Sequence, residues 1–227
     1  MTSDSFQYQG SLLSIVERVS LSARLKMLES LIRAAAPGAD TSVLDLGVTS
    51  DPRIDSNFFE KYYKFPEKIT AVGLEDASFL ETSYPGLRFV RADALALPFP
   101  DRSFDLVVSF AVIEHVGSEA RQRQFLAEAC RVGRRVFITT PNRYFPVEFH
   151  TLVPFLHWLP PGLFRRILRF FGQRFFSQEE NLNLLSEQQL LSMVPAEFKV
   201  TRLHHRLLGM RSNLILFLES TVLDTPA

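Results

Sequence analysis

The sequence predicts an α/β protein in which helices cover both faces of a doubly wound, Rossmann-like sheet of seven mixed strands. Short apolar runs alternate with segments of helical periodicity, as in parallel sheets joined by helical crossovers. The run at residues 104–110 is almost continuously apolar, which is typical of a strand covered on both faces. The run at residues 43–46 leads into Gly47 and contains Asp45, a pattern typical of a parallel strand that opens into a ligand-binding turn.

The predicted elements can be followed along the chain. Residues 10–36 carry apolar side chains at helical spacing, in one helix or two, and Pro37-Gly38 ends them. Ser186 and Gln189 form a capping-box pattern at the start of a later helix. The strands are expected at residues 43–46, 69–74, 87–90, 104–110, 135–139, 198–203 and 213–218. The remaining helices are expected at residues 57–63, 118–132 and 186–194.

Composition and charge exclude several classes of protein. The 25 basic and 25 acidic residues give a formal net charge of zero, which argues against a nucleic-acid binder. Cys130, the single cysteine, allows no internal disulfide and no metal site built on cysteine, so we expect a reducing cytoplasm and no bound metal. No apolar stretch approaches the roughly 18 residues of a membrane-spanning helix, and the polar N-terminus predicts no secretory signal.

Chemically useful residues follow the ends of four predicted strands. The carboxyl ends of parallel strands meet at one edge of the sheet, where ligands of open α/β proteins bind. Glycine there lets the backbone approach a ligand closely, and carboxylates accept hydrogen bonds from hydroxyl and amino groups. The candidate binding residues are Asp45, Gly47, Thr49, Glu75, Asp76, Asp93, Ala94, Ser109 and Phe110.

These motifs resemble those of the class I S-adenosylmethionine-dependent methyltransferases. Residues 93–107, Asp-Ala-Leu-Ala-Leu-Pro-Phe-Pro-Asp-Arg-Ser-Phe-Asp-Leu-Val, and residues 112–116, Val-Ile-Glu-His-Val, are close matches. The family's glycine-rich loop, D-x-G-x-G-x-G, keeps its acid and first glycine here but has Thr49 and Asp51 at the later glycine positions. The resemblance covers residues 25–142 well and the last strands loosely.

The resemblance implies that S-adenosylmethionine is bound at these strand ends. Asp45 and Gly47 would hold it after the first strand. Glu75 or Asp76 would accept hydrogen bonds from its ribose diol, and Asp93 would accept one from its adenine amine. The implied activity is methyl transfer to a small acceptor that is hydrophobic or lipid-linked.

Two other functions stay open from the sequence. A non-catalytic binding module could keep the fold while its glycine loop has degenerated. A nicotinamide-dependent oxidoreductase needs a glycine-rich loop that seats a pyrophosphate on a helix N-terminus. Asp51 would place a carboxylate against that pyrophosphate, so a ligand without phosphates fits the loop better.

A general base is needed only if the acceptor holds its proton strongly, as a hydroxyl does. The reactive end of the donor would lie over Ser109 and Phe110, at the mouth of the sheet. His150 is the preferred base because it follows the fifth predicted strand closely. The four candidates near this mouth are His115, Glu148, His150 and His157.

We expect one methyltransferase domain over residues 1–227, with the acceptor enclosed by two additions to the sheet. The acceptor atom and the oligomeric state are left open by the sequence. The expected parts are a helical N-terminal extension at 8–36, a cofactor-binding core at 42–142, a lid or substrate insertion at 143–183, and a C-terminal helix with the last two strands at 184–220.

The insertion contains a basic, aromatic segment at residues 163–176. At helical spacing its aromatic and aliphatic side chains share one face, and its arginines lie opposite or beside that face. One interpretation is a helix on an anionic membrane surface, which would make this cytoplasmic protein peripheral at the inner membrane; the other is a lid packed on the sheet domain. The predicted apolar face consists of Phe164, Ile167, Leu168, Phe171 and Phe175.

Overall fold

The structure is a computed structural model that describes residues 11–52 and 56–222, with side chains from residue 16 onward. The described helices are α1 (Ser11–Ala35), α2 (Phe58–Tyr62), α3 (Phe79–Ser83), α4 (Glu119–Val132), α5 (Pro161–Phe170) and α6 (Glu187–Ser192). The described strands are β1 (Val43–Leu46), β2 (Ile69–Gly73), β3 (Arg88–Arg91), β4 (Leu106–Phe110), β5 (Arg135–Pro141), β6 (Phe198–Leu207) and β7 (Met210–Ser220).

The seven strands form one mixed sheet in the order β3-β2-β1-β4-β5-β7-β6. The first five strands are parallel, and β7 runs antiparallel to both of its neighbours. The strand order therefore reverses direction at β1, with β2 on one side and β4 on the other. This arrangement confirms the predicted doubly wound, seven-stranded mixed sheet, and it places the switch point between β1 and β4, where ligands bind in such folds.

Both faces of the sheet are buried, as the continuous apolar strands require. On one face, Phe125 and Leu126 of α4 pack against Leu44, Val107 and strand residues beside them. On the other face, α1 and α2 pack against the alternate strand positions. Ser118 caps α4 by accepting from the amide of Arg121, and Ser186 and Gln189 form the predicted capping box of α6.

Helix α1 is a single helix, so the alternative of two helices is wrong for the described residues; the expected start at residue 8 lies outside them. The helix ends beside the amino end of β5, where the Ala35 carbonyl accepts from Arg135 Nη1 at 2.6 Å. Its earlier turns reach the opposite end of the sheet, where Val19, Ala23 and Met27 line a cavity. One long helix therefore connects the two ends of the sheet.

The last two strands are longer than predicted, at Phe198–Leu207 and Met210–Ser220. Predicted strand ends rest on apolar runs, whereas here the backbone pairing continues through polar residues to a tight turn at Leu208 and Gly209. A register shift between His205 and Arg206 interrupts the ladder. This extension carries the hairpin to the carboxyl end of β5, beside the candidate site.

The predicted helix at 163–176 is wrong in length. Helix α5 ends at Phe170, and Gly172 follows at a φ of 80°, a conformation that stops an α-helix. Phe164 and Leu168 are buried as predicted, whereas Phe171 and Phe175 are exposed and do not join the apolar face. Among the described residues, no helix is long and apolar enough to cross a membrane.

Gly47→Ala tests the close approach of the turn after β1 to the turn after β4. Gly47 has a φ of 106°, and a Cβ there would meet Val112 Cγ2 at 2.3 Å. We expect a loss of about 1–3 kcal/mol in the free energy of unfolding, because both the backbone conformation and the contact become strained.

The matched control is Gly38→Ala, because an added Cβ at Gly38 meets nothing within 4 Å. Chemical denaturation of both variants measures the difference. Equal stability of the two variants would contradict the assigned contact between Gly47 and Val112.

Candidate active site

The turn after β1 crosses directly over the end of β2. The amides of Gly47 and Val48 donate to the Val72 carbonyl at 2.9 and 3.1 Å. A Cβ at Gly73 would lie 2.6 Å from the Val48 carbonyl oxygen, so only glycine lets the two backbones approach so closely. The turn is thereby fixed across the carboxyl ends of β1 and β2.

Where the family's loop has its later glycines, the loop of this chain is fixed by hydrogen bonds to Asn57. The amide of Thr49 donates to Asn57 Oδ1 at 2.9 Å, and Asn57 Nδ2 donates to the Thr49 carbonyl at 3.0 Å. The Asn57 side chain is buried. The asparagine therefore pairs with the backbone of the loop and gives it a defined shape, while the Thr49 side chain remains exposed.

Asp45 and Glu60 form a buried pair of carboxyl groups at the end of β1. They are 6% and 1% exposed, and Oε1 of Glu60 has no hydrogen-bond partner among the described residues. Burial raises the pKa of Asp45 well above its ordinary value, and the neighbouring Glu60 raises it further. Burial also raises the pKa of Glu60. Each carboxyl of the pair therefore ionises less readily than an exposed one.

This pair lines a narrow cleft of ≈ 30 Å³ together with Gly47, Asn57 and Phe58. A space of that size accommodates one small polar group. A cationic group in the cleft would favour ionisation of the pair and would satisfy the unpaired oxygen of Glu60. The cleft is therefore suited to a small cation such as an ammonium group.

The two acidic residues after β2 have different environments. Glu75 accepts a short hydrogen bond from the Ser50 hydroxyl, so its carboxylate faces the turn after β1. Asp76 instead accepts from the Ser78 amide at 2.9 Å, at the start of α3. This bond, together with that from the Ser78 side chain, lowers the pKa of Asp76. Of the two, Glu75 is the carboxylate placed to meet a ligand that crosses β1 and β2.

The candidates after β3 and β4 also differ in exposure. Asp93 is exposed, and its Oδ1 accepts from the Leu95 amide at 2.9 Å, which fixes the turn that contains Ala94. Ser109 is fully buried, with a hydroxyl that has no hydrogen-bond partner among the described residues. The side chain of Ser109 is thus within the core, and only its backbone is positioned near the sheet edge.

Phe110 lies between two openings at the end of β4. Its ring contacts Phe58 and Phe59, with centroid distances of 4.9 and 5.7 Å. It lines the narrow cleft beside Gly47, and it also lines a second cavity of ≈ 230 Å³. Phe110 thus separates the strand ends of β1 and β2 from this second cavity.

The second cavity is mainly apolar and is enclosed by α1, the end of β5 and the β6–β7 hairpin. Its lining combines two imidazole rings, the hydroxyls of Ser20 and Ser212 and one amide with apolar side chains. Arg24 is also there, and its guanidinium lies 5.7 Å from the centre of the Phe58 ring. The lining includes Val19, Ala23, Arg24, Met27, Phe110, Phe149, His150, His205, Leu207, Ser212 and Asn213.

His150 is held in the cavity wall by Glu148. Nδ1 of His150 is 2.5 Å from Glu148 Oε1, and the Thr151 amide donates to Oε2 at 2.6 Å. Since the carboxylate can only accept, Nδ1 carries the proton and Nε2 remains as the basic nitrogen. Glu148 is 3% exposed, so it orients His150 from behind the cavity wall.

Glu148 and His150 shift each other's pKa in opposite directions: the pKa of Glu148 is lowered and that of His150 is raised. Burial would raise the pKa of Glu148, but the hydrogen bond and charge of His150, with two amide donors, hold it at about 2. Burial would lower the pKa of His150, but Glu148 outweighs burial and raises it. The pair is therefore an ordered carboxylate–imidazole dyad of the kind used in acid–base catalysis.

The other two histidine candidates have structural contacts instead. His115 Nδ1 is 2.6 Å from the Asn181 carbonyl, its ring packs on His150 at 4.8 Å, and burial lowers its pKa to about 4. His157 is 3% exposed, and its Nε2 is 2.7 Å from the Phe145 carbonyl. Neither histidine lines the cavity.

Glu114 is a further buried acid next to this cluster. It is fully buried, accepts from the Thr140 hydroxyl at 3.0 Å, and has one oxygen without a described partner. Burial raises its pKa to about 7. Its charge acts on His150, so the protonation of the dyad depends on both carboxyl groups.

Four residues that line the cleft or the cavity were not predicted from the sequence: Asn57, Glu60, Arg24 and His205. Glu60 lies between Phe59 and Lys61 and resembles an ordinary helix position. His205 follows His204 in a strand, so alternation alone does not show which ring faces a cavity. The pattern Asn57-x-x-Glu60 does not by itself indicate a site. It becomes informative only when the turn is known to fold back on β1 and to bring these residues beside Asp45.

A larger groove of ≈ 610 Å³ lies at the opposite end of the sheet, against residues 38–41, Arg134 and Arg135. It borders the amino ends of β4 and β5, whereas ligands of such sheets bind at the carboxyl ends. The candidate site residues are all at the carboxyl ends. Among the described residues, no cluster of His, Cys, Asp or Glu is arranged to hold a metal ion.

The strand order is that of the class I methyltransferase fold. A family model described as a methyltransferase domain matches residues 58–136. An S-adenosylmethionine-dependent methyltransferase of this fold from Thermotoga maritima is 16% identical, with a TM-score of 0.57 over 92% of each chain. At that identity the structural likeness concerns the fold.

Two relatives from Mycobacterium tuberculosis share short stretches with this chain. One, named as an S-adenosylmethionine-dependent methyltransferase, is 38% identical over 64 residues, which are 28% of this chain and 23% of the relative. The other, a phthiotriol/phenolphthiotriol dimycocerosates methyltransferase, is 47% identical over 62 residues, 27% of this chain and 20% of the relative. The matched stretches thus cover less than a quarter of either relative.

Residues 58–136 therefore resemble a methyltransferase domain, and the sheet has the fold of the class I S-adenosylmethionine-dependent methyltransferases, whose cofactor is S-adenosylmethionine. The residues at the strand ends fit that cofactor. It carries an ammonium and a sulfonium group, and the buried Asp45–Glu60 pair leaves an acidic oxygen unpaired beside a cleft. Glu75 and Asp93 add exposed carboxylates next to it, which would repel a pyrophosphate.

Donor affinity is expected to depend on pH through Asp45 and Glu60. Because their pKa values are raised in the free protein, a bound ammonium group favours the ionised pair and releases protons. Affinity for S-adenosylhomocysteine therefore rises with pH through the raised pKa of the pair. Calorimetric titrations in buffers of different ionisation enthalpy measure the protons released.

Glu60→Gln removes one member of the pair and is expected to weaken binding about tenfold and to flatten its pH dependence. Glu67→Gln is the control, since Glu67 is an exposed acid close by in the sequence. An unchanged pH dependence in Glu60→Gln would show that the pair does not take part in donor binding.

Proposed function

We propose that this protein is an S-adenosylmethionine-dependent methyltransferase that methylates a hydroxyl group of an apolar acceptor. The observation that carries the proposal is the Glu148–His150 dyad in the wall of an apolar cavity that Phe110 separates from the donor side. When bound, S-adenosylmethionine supplies a methyl group activated by its sulfonium. Asp45, Gly47, Glu60, Glu75 and Asp93 would hold it.

The dyad supports a hydroxyl acceptor because an alcohol or phenol is a poor nucleophile until it loses its proton. Nε2 of His150 is the nitrogen that can take that proton, since Nδ1 donates to Glu148. Glu148 then stabilises the imidazolium through the same hydrogen bond. An amine that reaches the site in its neutral form needs no such base.

The surrounding residues position the acceptor and exclude water. The apolar lining from α1 and the hairpin would bury the body of the acceptor, while Ser212 and Asn213 offer polar contacts. His205 is tied to the Ser212 hydroxyl at 2.8 Å, so this corner is already ordered. Holding two reactants in a fixed orientation supplies several kcal/mol of the barrier reduction.

The apolar cavity favours a hydrophobic or lipid-linked acceptor. A cavity of ≈ 230 Å³ takes a ring or the end of a chain, with the rest of the molecule extending outward. One mycobacterial relative, which matches a short stretch of this chain, is named as a phthiotriol/phenolphthiotriol dimycocerosates methyltransferase, and this name supports the proposed class of acceptor.

A non-catalytic module is not favoured by these residues. The loop at Thr49 and Asp51 is held by Asn57 in place of glycines, and the dyad has a fully ordered carboxylate.

Incubation with tritiated S-adenosylmethionine and a panel of alkylphenols and long-chain alcohols, beside matched alkylamines, tests the function. Label transfer to the hydroxyl compounds is expected, and transfer to the amines alone would contradict a hydroxyl acceptor.

His150→Ala is expected to lower kcat about 10²- to 10⁴-fold with unchanged affinity for S-adenosylhomocysteine, because it removes the base and leaves the donor side intact. His204→Gln is the control, since His204 pairs with Glu187 away from the cavity. A His150→Ala variant with unchanged kcat would show that proton removal by this ring is not needed.

Glu148→Gln is expected to lower the pKa of His150, because it removes the hydrogen bond and charge that raise it. Only neutral His150 can accept a proton, so activity rises with pH through its raised pKa, and the rise moves to lower pH in Glu148→Gln. Glu114, His115 and Arg24 also act on this ring and are unchanged in the variant. Nitrogen-detected NMR titration of His150 measures the shift without an acceptor, and an unchanged titration would contradict the assigned dyad.

A further inference from the structure

The end of α5 exposes a compact group of aromatic side chains. Phe170 and Phe171 are 84% and 73% exposed, and their ring centroids are 5.3 Å apart. Phe175 is 44% exposed after the turn at Gly172. We call Phe170, Phe171 and Phe175 the aromatic tip. Burying such side chains in an apolar phase is favourable, so a surface that presents three of them together marks an interaction site.

The aromatic tip is surrounded by positive charge. Residues 149–178 contain four arginines and no acidic residue, although the whole chain is neutral. Arg165 pairs with Glu179 at 3.3 Å, whereas Arg166, Arg169 and Arg174 form no ion pair with a described carboxylate. A binding partner that complements this surface must therefore carry negative charges for the arginines beside an apolar phase for the phenylalanines.

The tip is carried by a firmly packed helix. On its inner side α5 buries Phe164 and Leu168 against Leu182 and Leu184 in a small core of its own. Phe155 and Trp158, which precede α5, are also about half exposed and contact each other at 4.8 Å. The exposed aromatics therefore belong to an ordered insertion whose inner face is already occupied.

The tip is also connected to the acceptor cavity. Phe175 contacts Phe176 with a centroid distance of 5.1 Å, and Phe176 contacts the ring of His150 at 5.5 Å. Two successive ring contacts therefore connect the exposed Phe175 with His150, the proposed base. A lipid layer in contact with the tip would thus lie within two side chains of His150, which lines the cavity.

We propose that the aromatic tip inserts into the surface of an anionic lipid bilayer, with Arg166, Arg169 and Arg174 at the level of the headgroups. Phenylalanines at the acyl boundary and arginines at anionic headgroups are the usual composition of an interfacial membrane site. The alternative in which the 163–176 segment only packs inward as a lid does not account for the exposure of Phe170 and Phe171. This inference stands beside the proposed function and does not require methyl transfer.

Co-flotation of the full chain with vesicles tests the proposal. The probes are phosphatidylcholine vesicles alone and the same vesicles containing phosphatidylglycerol, without donor or acceptor. We expect binding to the anionic vesicles that weakens as salt rises, because exposed charges are screened. Absence of binding to the anionic vesicles would overturn the proposal and leave the proposed function untouched.

Phe170→Ser/Phe171→Ser is expected to reduce vesicle binding about tenfold or more, and Arg166→Gln/Arg169→Gln about fivefold for each arginine. Ile32→Ser/Tyr62→Ser is the matched control, since Ile32 and Tyr62 are exposed hydrophobic residues on α1 and α2. Thermal unfolding checks that all variants are folded.

Two further results, both obtained with the phenylalanine variant, would also overturn the proposal. Equal vesicle binding by the phenylalanine variant and the wild type would show that the tip is not the contact. A dimer of the wild type that Phe170→Ser/Phe171→Ser dissociates, measured by sedimentation, together with vesicle binding unchanged by that variant, would assign the tip to a second copy of the chain.

Discussion

The close contact of Gly47 with Val112 is the constraint on which the site depends. A side chain at Gly47 would overlap Val112, so this glycine allows the turns after β1 and β4 to meet at the point where the strand order reverses. Asp45 and Glu60 lie beneath one side of that contact, and Phe110 lies at its edge. The strand ends that would hold the donor and the cavity that would hold the acceptor are neighbours because the Gly47 backbone can pack closely against the Val112 side chain.

Charge is distributed differently on the two sides of Phe110. The strand ends of β1, β2 and β3 carry carboxyl groups, including the buried Asp45–Glu60 pair, which suit a cationic ligand without phosphates. The cavity beyond Phe110 is apolar, and its ionisable groups are histidines and Arg24. A charged donor and an apolar acceptor would each meet a matching environment, and Glu148 supplies the negative charge that keeps His150 in order.

The order of strands and helices could be predicted from the sequence because the apolar runs are short and are bounded by Pro, Gly and charged residues. The binding edge could be predicted because Asp45, Glu75 and Asp93 lie at the carboxyl ends of successive strands. The Asp45–Glu60 pair could not, since it depends on how the turn at Asn57 folds back on β1. The end of α5 was also missed, because helical periodicity continues through Gly172 although its left-handed conformation stops the helix.

We propose that the donor lies across the ends of β1 and β2 with its sulfur next to Phe110, facing the cavity that His150 lines. A crystal structure of the full chain with S-adenosylhomocysteine tests this most directly. We expect the amino group of the ligand at the Asp45–Glu60 cleft, its ribose at Glu75, and its sulfur beside the Phe110 ring. Density for the ligand in the groove at Arg134 and Arg135, or a sulfur that points away from the cavity, would contradict this proposal.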